Sequence, residues 1–350
     1  MELYLLNRAG RRIAVLSEYN TLAWTTKMTG TRVDVNLPLS VEEVVEQACY
    51  LQRDDSDVVA QIFARTSHYG NKTLTLEAFD PIELLRRRVN FWTRSFTGRR
   101  ETAVVDLVNA ALRTAPELGE DIIRRPDLWN EMVDGQASSP GLSELISAQV
   151  SWGDCYSEAC KLLEGTQIRL MTSFVGGRIV PTLIEGQDRS SRVILSIEDG
   201  DLSDVVHSRV DEGVCDTAVV SWNADEIDQV LTVQKNLDVT HGELWVDGSS
   251  VANADQSSGS LIAALHEHGK MKLFSQPQEH SLTGVLSQLR FEYGKDYSIG
   301  DRIGYRTASL EGTDVITEVE EVFTGGTKTV GVTVGKSYPT IRQIVESRTS

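Results

Sequence analysis

Cysteine is scarce in this sequence. The four residues, Cys49, Cys155, Cys160 and Cys215, include no CxxC pair, which excludes a disulfide-stapled secreted scaffold and a paired thiolate zinc site. They read as reduced, partly buried small hydrophobes. Long apolar runs are missing too: none approaches the roughly 18–20 residues that cross a bilayer, so no membrane insertion is expected. The opening Met1-Glu2-Leu3-Tyr4-Leu5-Leu6 has no basic n-region or small-residue cleavage site, and it reads as a first strand rather than a signal peptide. Bases are outnumbered, with 34 Lys and Arg against 51 Asp and Glu for a net charge of −17. That balance argues against general nucleic-acid binding, which depends on clustered cations. Gly-x-Ser-x-Gly, His-Glu-x-x-His and glycine-rich dinucleotide signatures are absent as well.

The remaining chemical constellations resolve into structural readings. Gly331-Val332-Thr333-Val334-Gly335-Lys336-Ser337 has three residues between its glycines where a phosphate loop needs four, and Pro339 forbids a following helix. It reads as a strand leaving a barrel. His266 and His268, with His241 and His280, stand in a polar region, and a His-x-His pair points its rings apart; solvent-facing histidines are the better account. Asp199, Asp201 and Asp204 lack the closing Glu of a calcium loop and read as a solvated acidic turn. The run Arg86-Arg87-Arg88-Val89-Asn90-Phe91-Trp92-Thr93-Arg94 interleaves bases with aromatics as single-strand grooves do. Its place at a helix end between modules favours an interface instead. No catalytic, cofactor-binding or metal-binding residue is assigned, and no cofactor is expected.

Hydrophobic residues make up 40% of the 350, an ordinary globular share spread over more than one core. Charge is uneven: ten acids and one base, Arg209, lie between Glu198 and Asp228, and six arginines with no acid lie between Arg86 and Arg100. Such polarity suits complementary neighbours or a lumen of one sign. Period-2 alternation predicts strands at Arg12–Leu16, Leu22–Thr26 and Arg32–Leu37, then a helix over Val41–Ala48 with Ser40 as N-cap and Glu43 closing a capping box. Pro81 opens a further helix with Ile82, Leu84, Leu85 and Val89 on its apolar face. From Glu101 helical spacing takes over, through Val104, Val105, Leu107, Val108, Ala111 and Leu112. A polar loop follows at Val133–Gly141. A second helix runs from an Asp154 N-cap to Glu164, with Gly165 at C′. Strands at Ile168–Phe174 and Arg178–Ile184 are joined at Gly176-Gly177. Further strands are predicted at Val193–Ile197, Ala218–Trp222, Glu243–Val246 and Arg302–Arg306, with another extended segment at Gln288–Tyr293. Gly248–Ser260 reads as a polar loop and Leu261, Ile262 and Leu265 as a short helix.

Two distant stretches echo each other. Asp57-Val58-Val59-Ala60-Gln61-Ile62 leads through a turn to Gly70-Asn71-Lys72-Thr73-Leu74-Thr75-Leu76. Asp314-Val315-Ile316-Thr317-Glu318-Val319 leads to Gly326-Thr327-Lys328-Thr329-Val330-Gly331-Val332. Both read as β-hairpins. Any two half-buried hairpins alternate alike, so this pattern leaves duplication open. A duplicated unit would let three chains present six equivalent ones. The expected fold is α+β, mainly β: two related β-barrel domains, an α/β domain between them and a small helical insert in the second half. The expected bounds are 1–95 for the first barrel, 96–190 for the α/β domain, 191–246 with 285–350 for the second barrel, and 247–284 for the insert.

The sequence Phe291-Glu292-Tyr293-Gly294-Lys295-Asp296-Tyr297-Ser298-Ile299-Gly300-Asp301-Arg302-Ile303, followed by Asp314 to Val322, resembles the hub proteins at the tail tip of long-tailed, non-contractile bacteriophages. Supporting matches are Leu22-Ala23-Trp24-Thr25, Val35-Asn36-Leu37-Pro38, Leu84-Leu85-Arg86-Arg87-Arg88 and Gly186-Gln187-Asp188-Arg189-Ser190. The resemblance implies a structural, non-enzymatic baseplate hub in the virion tail tip, assembled in the host cytoplasm. It implies a homotrimer whose tube-like barrels alternate in a pseudo-sixfold ring. Its partners would be a distal tail protein or tail-tube hexamer, the tape-measure protein, and distal spike, fibre or receptor-binding proteins. Phage DNA would pass through without specific binding, repelled by acids facing the bore. The chain stops soon after the second barrel, so the cell-wall hydrolase that some relatives carry is not expected. Two alternatives stand beside this reading: a peptidoglycan-degrading tail enzyme, and a carbohydrate- or receptor-binding module using Trp92, Trp129, Trp152 and Trp222.

Overall fold

A computed structural model describes residues 1–90, 94–113, 145–150, 153–163, 166–175, 178–210, 215–224, 227–234, 242–249, 258–274 and 279–335. The chain divides into two compact units, Met1–Val206 with Leu282–Gly335, and a second within His207–Ser281. It is mainly β. The predicted loop at Val133–Gly141, the Gly176-Gly177 connection and Gly165 lie outside the described residues.

Seven strands open the chain: β1 (Leu3–Leu6), β2 (Arg12–Leu16), β3 (Thr21–Lys27), β4 (Gly30–Pro38), β5 (Tyr50–Arg53), β6 (Val59–His68) and β7 (Thr73–Phe79). They hydrogen-bond in the order β3-β4-β7-β6-β5-β1-β2. Alternate side chains, among them Leu3, Leu5, Leu22, Trp24, Val33, Val35, Leu37, Leu74 and Leu76, enter one apolar cluster. Leu16 of β2 and Leu22 of β3, from opposite ends of that order, share the cluster. The sheet therefore curls round its core. The helix expected over Val41–Ala48 is shorter than the sequence predicts. Residues Leu39–Val41 form a 3-10 turn, and α1 covers only Glu42–Val45 with Val41 at its N-cap and no side-chain cap. Ser40 is not the cap because the Leu39 N–H is already bonded to the Lys72 carbonyl, which starts the turn one step early. The segment opening at Pro81 is likewise a 3-10 helix, Pro81–Arg87, capped by Asp80.

The middle module contains β8 (Val89–Asn90), β9 (Arg94–Arg99), α2 (Arg100–Arg113), β10 (Leu145–Val150), β11 (Gly153–Asp154), α3 (Cys155–Leu163), β12 (Ile168–Val175) and β13 (Arg178–Glu185). The strands pair antiparallel as β9 with β10, β8 with β11 and β12 with β13. Asp154 caps α3 as its sequence position predicts, accepting the Ser157 N–H at 2.8 Å. Val104, Leu107 and Val108 of α2 pack with Ala159 and Leu163 of α3 and with Leu170 and Ile179. These are the positions that helical spacing assigns to the buried face.

The remaining strands are β14 (Ile194–Ser196), β15 (Leu202–Val210), β16 (Thr217–Ala224), β17 (Ile227–Gln234), β18 (Glu243–Asp247), β19 (Glu279–Leu286), β20 (Arg302–Arg306), β21 (Glu311–Thr324) and β22 (Thr327–Gly335). Six of them run in the order β15-β19-β22-β21-β20-β14 around a separate core of Leu195, Leu202, Leu282, Ile303, Ile316, Val319, Val330 and Val332. Position for position this repeats β3-β4-β7-β6-β5-β1, with the same order along the chain. Two differences remain. Among the described residues no strand corresponds to β2, and β14 pairs parallel with β20 where β1 pairs antiparallel with β5.

The hairpin echo is refined by the ladders. In β6·β7 the register slips between Ile62 and Ala64, and in β21·β22 between Ile316 and Glu318. Each strand thus carries one bulged residue, Phe63 or Thr317. Arg65 faces Leu76 as Val319 faces Val332, and Ser67 faces Leu74 as Glu321 faces Val330. Ile316 therefore corresponds to Ile62, not to Val59 as the sequence echo has it. The alternation is the same in either phase, so only the bulge distinguishes them.

Strands β16 and β18, expected in the second barrel over 191–246, belong to the second unit instead. There they form the sheet β17-β16-β18, whose Ala218, Val220, Val233 and Val246 are covered by Leu265 and Leu273 of α4 (Ser258–Phe274). Their alternating apolar residues need a cover, and a seventeen-residue helix supplies it. The predicted loop at Gly248–Ser260 falls largely outside the described residues, but α4 begins within it. Gln288–Tyr293 is a turn region rather than a strand, with Gln288 at φ 54°.

Candidate functional site

The two barrels of the first unit are sewn together along one ladder. Strand β21 pairs antiparallel with β3 from Glu318↔Lys27 to Thr324↔Thr21. Past its bulge β21 turns Val319, Glu321 and Phe323 to one face, and this places a carboxylate in a buried position. Glu321 pairs with Arg53 of β5 and, at 2.6 Å, with Lys328 of β22. Arg53 also binds Asp55 at 2.7 Å through both oxygens. Its guanidinium lies 5.4 Å from the Trp24 ring centre and 5.8 Å from that of Phe323. Burial works against the charge on Arg53, yet the hydrogen bonds it donates to Asp55 and Glu321 outweigh it and hold the guanidinium above its ordinary value. The Asp55 carboxyl is correspondingly held below the usual range, chiefly by its bond to Arg53. Tyr293 lies beside the same network, and burial pushes its phenol up to about 12. An interior cation shared by two acids, clamped between aromatic rings, can fix register between two sheets.

A second junction joins the middle module to the second barrel. Gly186, just past β13, crosses Gly300 so closely that a Cβ on Gly186 would collide with the Gly300 carbonyl. Gln167 binds both strands of the crossing: its carbonyl accepts the Gly186 N–H at 3.0 Å and its side-chain amide donates to Gly300 at 3.2 Å. Asp301, buried, accepts N–H bonds from Gln187 at 2.7 Å and Ser298 at 2.9 Å, and it pairs with Arg189 at 2.9 Å. Arg189 in turn donates to the Asp296 carbonyl at 3.0 Å. Gly186–Ser190 and Phe291–Ile303, more than a hundred residues apart, thus form one clasp.

The third junction holds the first barrel to the middle module. Asp80 is fully buried and accepts bonds from the Ile82 N–H at 3.0 Å, the Thr172 hydroxyl at 2.8 Å and the Thr172 N–H at 3.2 Å. Burial pushes its carboxyl up to about 7 against the opposing pull of those donors. Nearby, the Tyr156 hydroxyl donates to the Thr29 carbonyl at 2.6 Å, and burial raises its pKa strongly. Burial also pushes the Cys160 thiol up to about 11.

The other sequence candidates find structural employment. Asp199 and Asp201 bind Arg290 at 2.8 and 2.5 Å, so the acidic turn is in part an ion-pair network, a partnership no local pattern announces. His207 stacks on His280 at 5.9 Å. His241 lies outside the described residues, among which no group of three His, Cys, Asp or Glu could hold a metal. Gly331–Gly335 lies in β22 as read, with Lys336 and Ser337 beyond the described residues. Arg86 stacks over the Tyr156 ring at 4.1 Å and pairs with Glu83 at 3.3 Å, which matches the interface reading; Phe91–Thr93 lie outside. Of the four tryptophans raised for carbohydrate binding, only Trp222 is described, and it packs against the second unit's core. A hollow of about 290 Å³ lined by Thr21, Leu22, Asp34, Asn36, Thr75 and Val322 flanks the seam. Its one carboxyl, Asp34, is raised by burial. Together these sites are architectural: they hold sheets in register.

The sequence matches the family described as Siphovirus ReqiPepy6 Gp37-like protein over residues 2–336. No curated protein sequence matches it. Among solved structures, the fold is similar to a tail protein from Neisseria meningitidis MC58 (TM-score 0.60, 11% identity, 96% of this chain and 97% of that one). It is also similar to the 43 kDa tail protein of prophage MuSo2 from Shewanella oneidensis (0.57, 11%, 95% and 98%). A third likeness is to the prophage tail protein gp18 from Listeria monocytogenes EGD-e (0.53, 9%, 100% and 99%). At such identities the likeness is one of fold.

Proposed function

The chain belongs to the Siphovirus ReqiPepy6 Gp37-like family, and from that premise we propose that it is a structural protein of a phage tail, the hub at the tail tip. Three copies would close a ring in which first and second barrels alternate, giving six similar positions. The ring would join a hexameric tail tube or distal tail protein above to threefold tip components below. Tape-measure protein and DNA would pass through its axis, and the excess of acids (51 against 34 bases) keeps DNA from adhering. On this reading the protein is not an enzyme and works in the virion tail tip after assembly in the host cytoplasm.

The observation that carries the proposal is the repeated strand order, β3-β4-β7-β6-β5-β1 and β15-β19-β22-β21-β20-β14. Two units of one topology per chain are what a threefold assembly needs to match a sixfold neighbour. The test is the native mass and electron-microscope image of the purified full chain. The expected result is a trimer with sixfold-modulated density round an axial opening. A compact monomer or a twofold dimer would overturn it, and release of muropeptides from peptidoglycan would make it an enzyme after all.

A further inference from the structure

Inside one chain, the second barrel's β21 offers its edge to the first barrel's β3. The repeat assigns counterparts to both partners: β6 corresponds to β21, and β15 to β3. The counterpart pairing, β6 with β15, is not made within the chain. Strand β5 covers β6 only from Val59 to Gln61, with the Ile62 N–H reaching the Cys49 carbonyl. This matches β20, which covers β21 only up to Val315. Beyond those points β21 is covered by β3, whereas β6 from Phe63 to His68 has no ladder on that side among the described residues. Among the described residues, strand β15 ends the sheet and pairs with β19 alone.

We infer that the free half of β6 in one subunit receives the free edge of β15 from the next, antiparallel as β21 receives β3, so that the sheet continues across the subunit boundary. This rests on the trimer reading and names the surface that closes it. The occupant is a second copy of the chain, because the fold already contains the same joint once, over Glu318–Thr324 and Thr21–Lys27. Neither free stretch carries a proline or a lysine, two of the usual devices for blunting an edge. Each exposes a large apolar side chain instead, Phe63 at 43% and Val206 at 61%. The contact is head-to-tail, so its rotation must close; on the trimer reading it does so after three chains, with internal and external joints alternating.

Disulfide trapping tests the joint. Val206→Cys is combined in turn with Ala64→Cys, Thr66→Cys and His68→Cys, alternate residues that scan the register on one face of β6; the Cβ atoms of a directly opposed pair come within about 5 Å. The expected result is that one of the three full-length variants oxidises to a covalent closed trimer, reversed by thiol and absent from each single-substitution control and from the parent chain with its four native cysteines. Failure of all three to cross-link while the native mass remains trimeric overturns this joint and leaves the trimer standing. A monomeric native mass at the highest attainable concentration overturns both.

Discussion

Removing Glu321 should loosen the ladder that unites the two barrels. Its carboxylate is buried and serves two cations, Arg53 and Lys328. In Glu321→Ala the Lys328 ammonium, 38% exposed, can turn to water, but Arg53, 8% exposed, keeps only Asp55. Breaking a buried pair from one side costs about 3–5 kcal/mol; the surviving Asp55 bond puts the expectation at the lower end, about 3 kcal/mol. That corresponds to roughly a hundredfold increase in local opening. Native-state hydrogen exchange of the β3 and β21 amides, compared with β4 and β7 amides of the same barrel, reads it directly. Arg53→Met combined with Glu321→Leu should recover most of the loss, because apolar replacement of both partners removes the stranded charge. Exchange at β3 and β21 unchanged in Glu321→Ala, or a double variant as loose as the single, would refute the account of the seam.

Three further outcomes follow from the other junctions. The folded-state pKa of Asp80, about 7, exceeds its ordinary 3.8; the stability it contributes is complete below about pH 4 and is lost as pH rises through 7. The free-energy difference between wild type and Asp80→Asn in urea unfolding should therefore shift in favour of the variant by up to about 4 kcal/mol between pH 4 and pH 8; a constant difference would contradict the burial argument. Gly186→Ala, forced against the Gly300 carbonyl, should cost about 3 kcal/mol by denaturant titration, while Gly70→Ala, which meets open space, should cost under about 1. With its thiol pushed up to about 11, Cys160 should resist iodoacetamide at pH 8 until the chain is unfolded, as mass mapping of the alkylated peptides would reveal.

Local pattern carried much of this fold in advance. Strands β2, β3, β4, β12, β13 and β20 lie where alternation or composition places them, and α2 and α3 where helical spacing does. Long-range partners were not legible. No strand is predicted over Leu202–Val210, and most of Glu279–Leu286 falls in the expected helical insert over 247–284; both are strands, because β22 and its neighbours supply hydrogen bonds that no local preference can. The charge at Glu321 looks like ordinary strand polarity until a bulge turns it inward. Arg53 and Glu321, at opposite ends of the chain, share no spacing that could have paired them. Nor does any short motif distinguish Ser40 as a cap from Ser40 inside a 3-10 turn, since a bond from Leu39 to Lys72 decides it. Gly186 and Gly300 were visible as parts of resembling segments, yet their crossing has no one-dimensional signature.

In the first barrel, β3 and β4 meet in a reverse turn only two residues long, Met28 and Thr29. At the equivalent corner of the second barrel the chain leaves through β15, builds a whole folded body and returns through β19. Their barrel ends stay fastened meanwhile, with the Ser287 N–H bonded to the Asp201 carbonyl at 2.9 Å. A hairpin tip can lodge cargo because its two stems remain neighbours whatever is threaded between them. The corner is thus an interchangeable socket. Bodies of different size or purpose could be exchanged there over evolution, or by design, while the strands of the barrel keep their order.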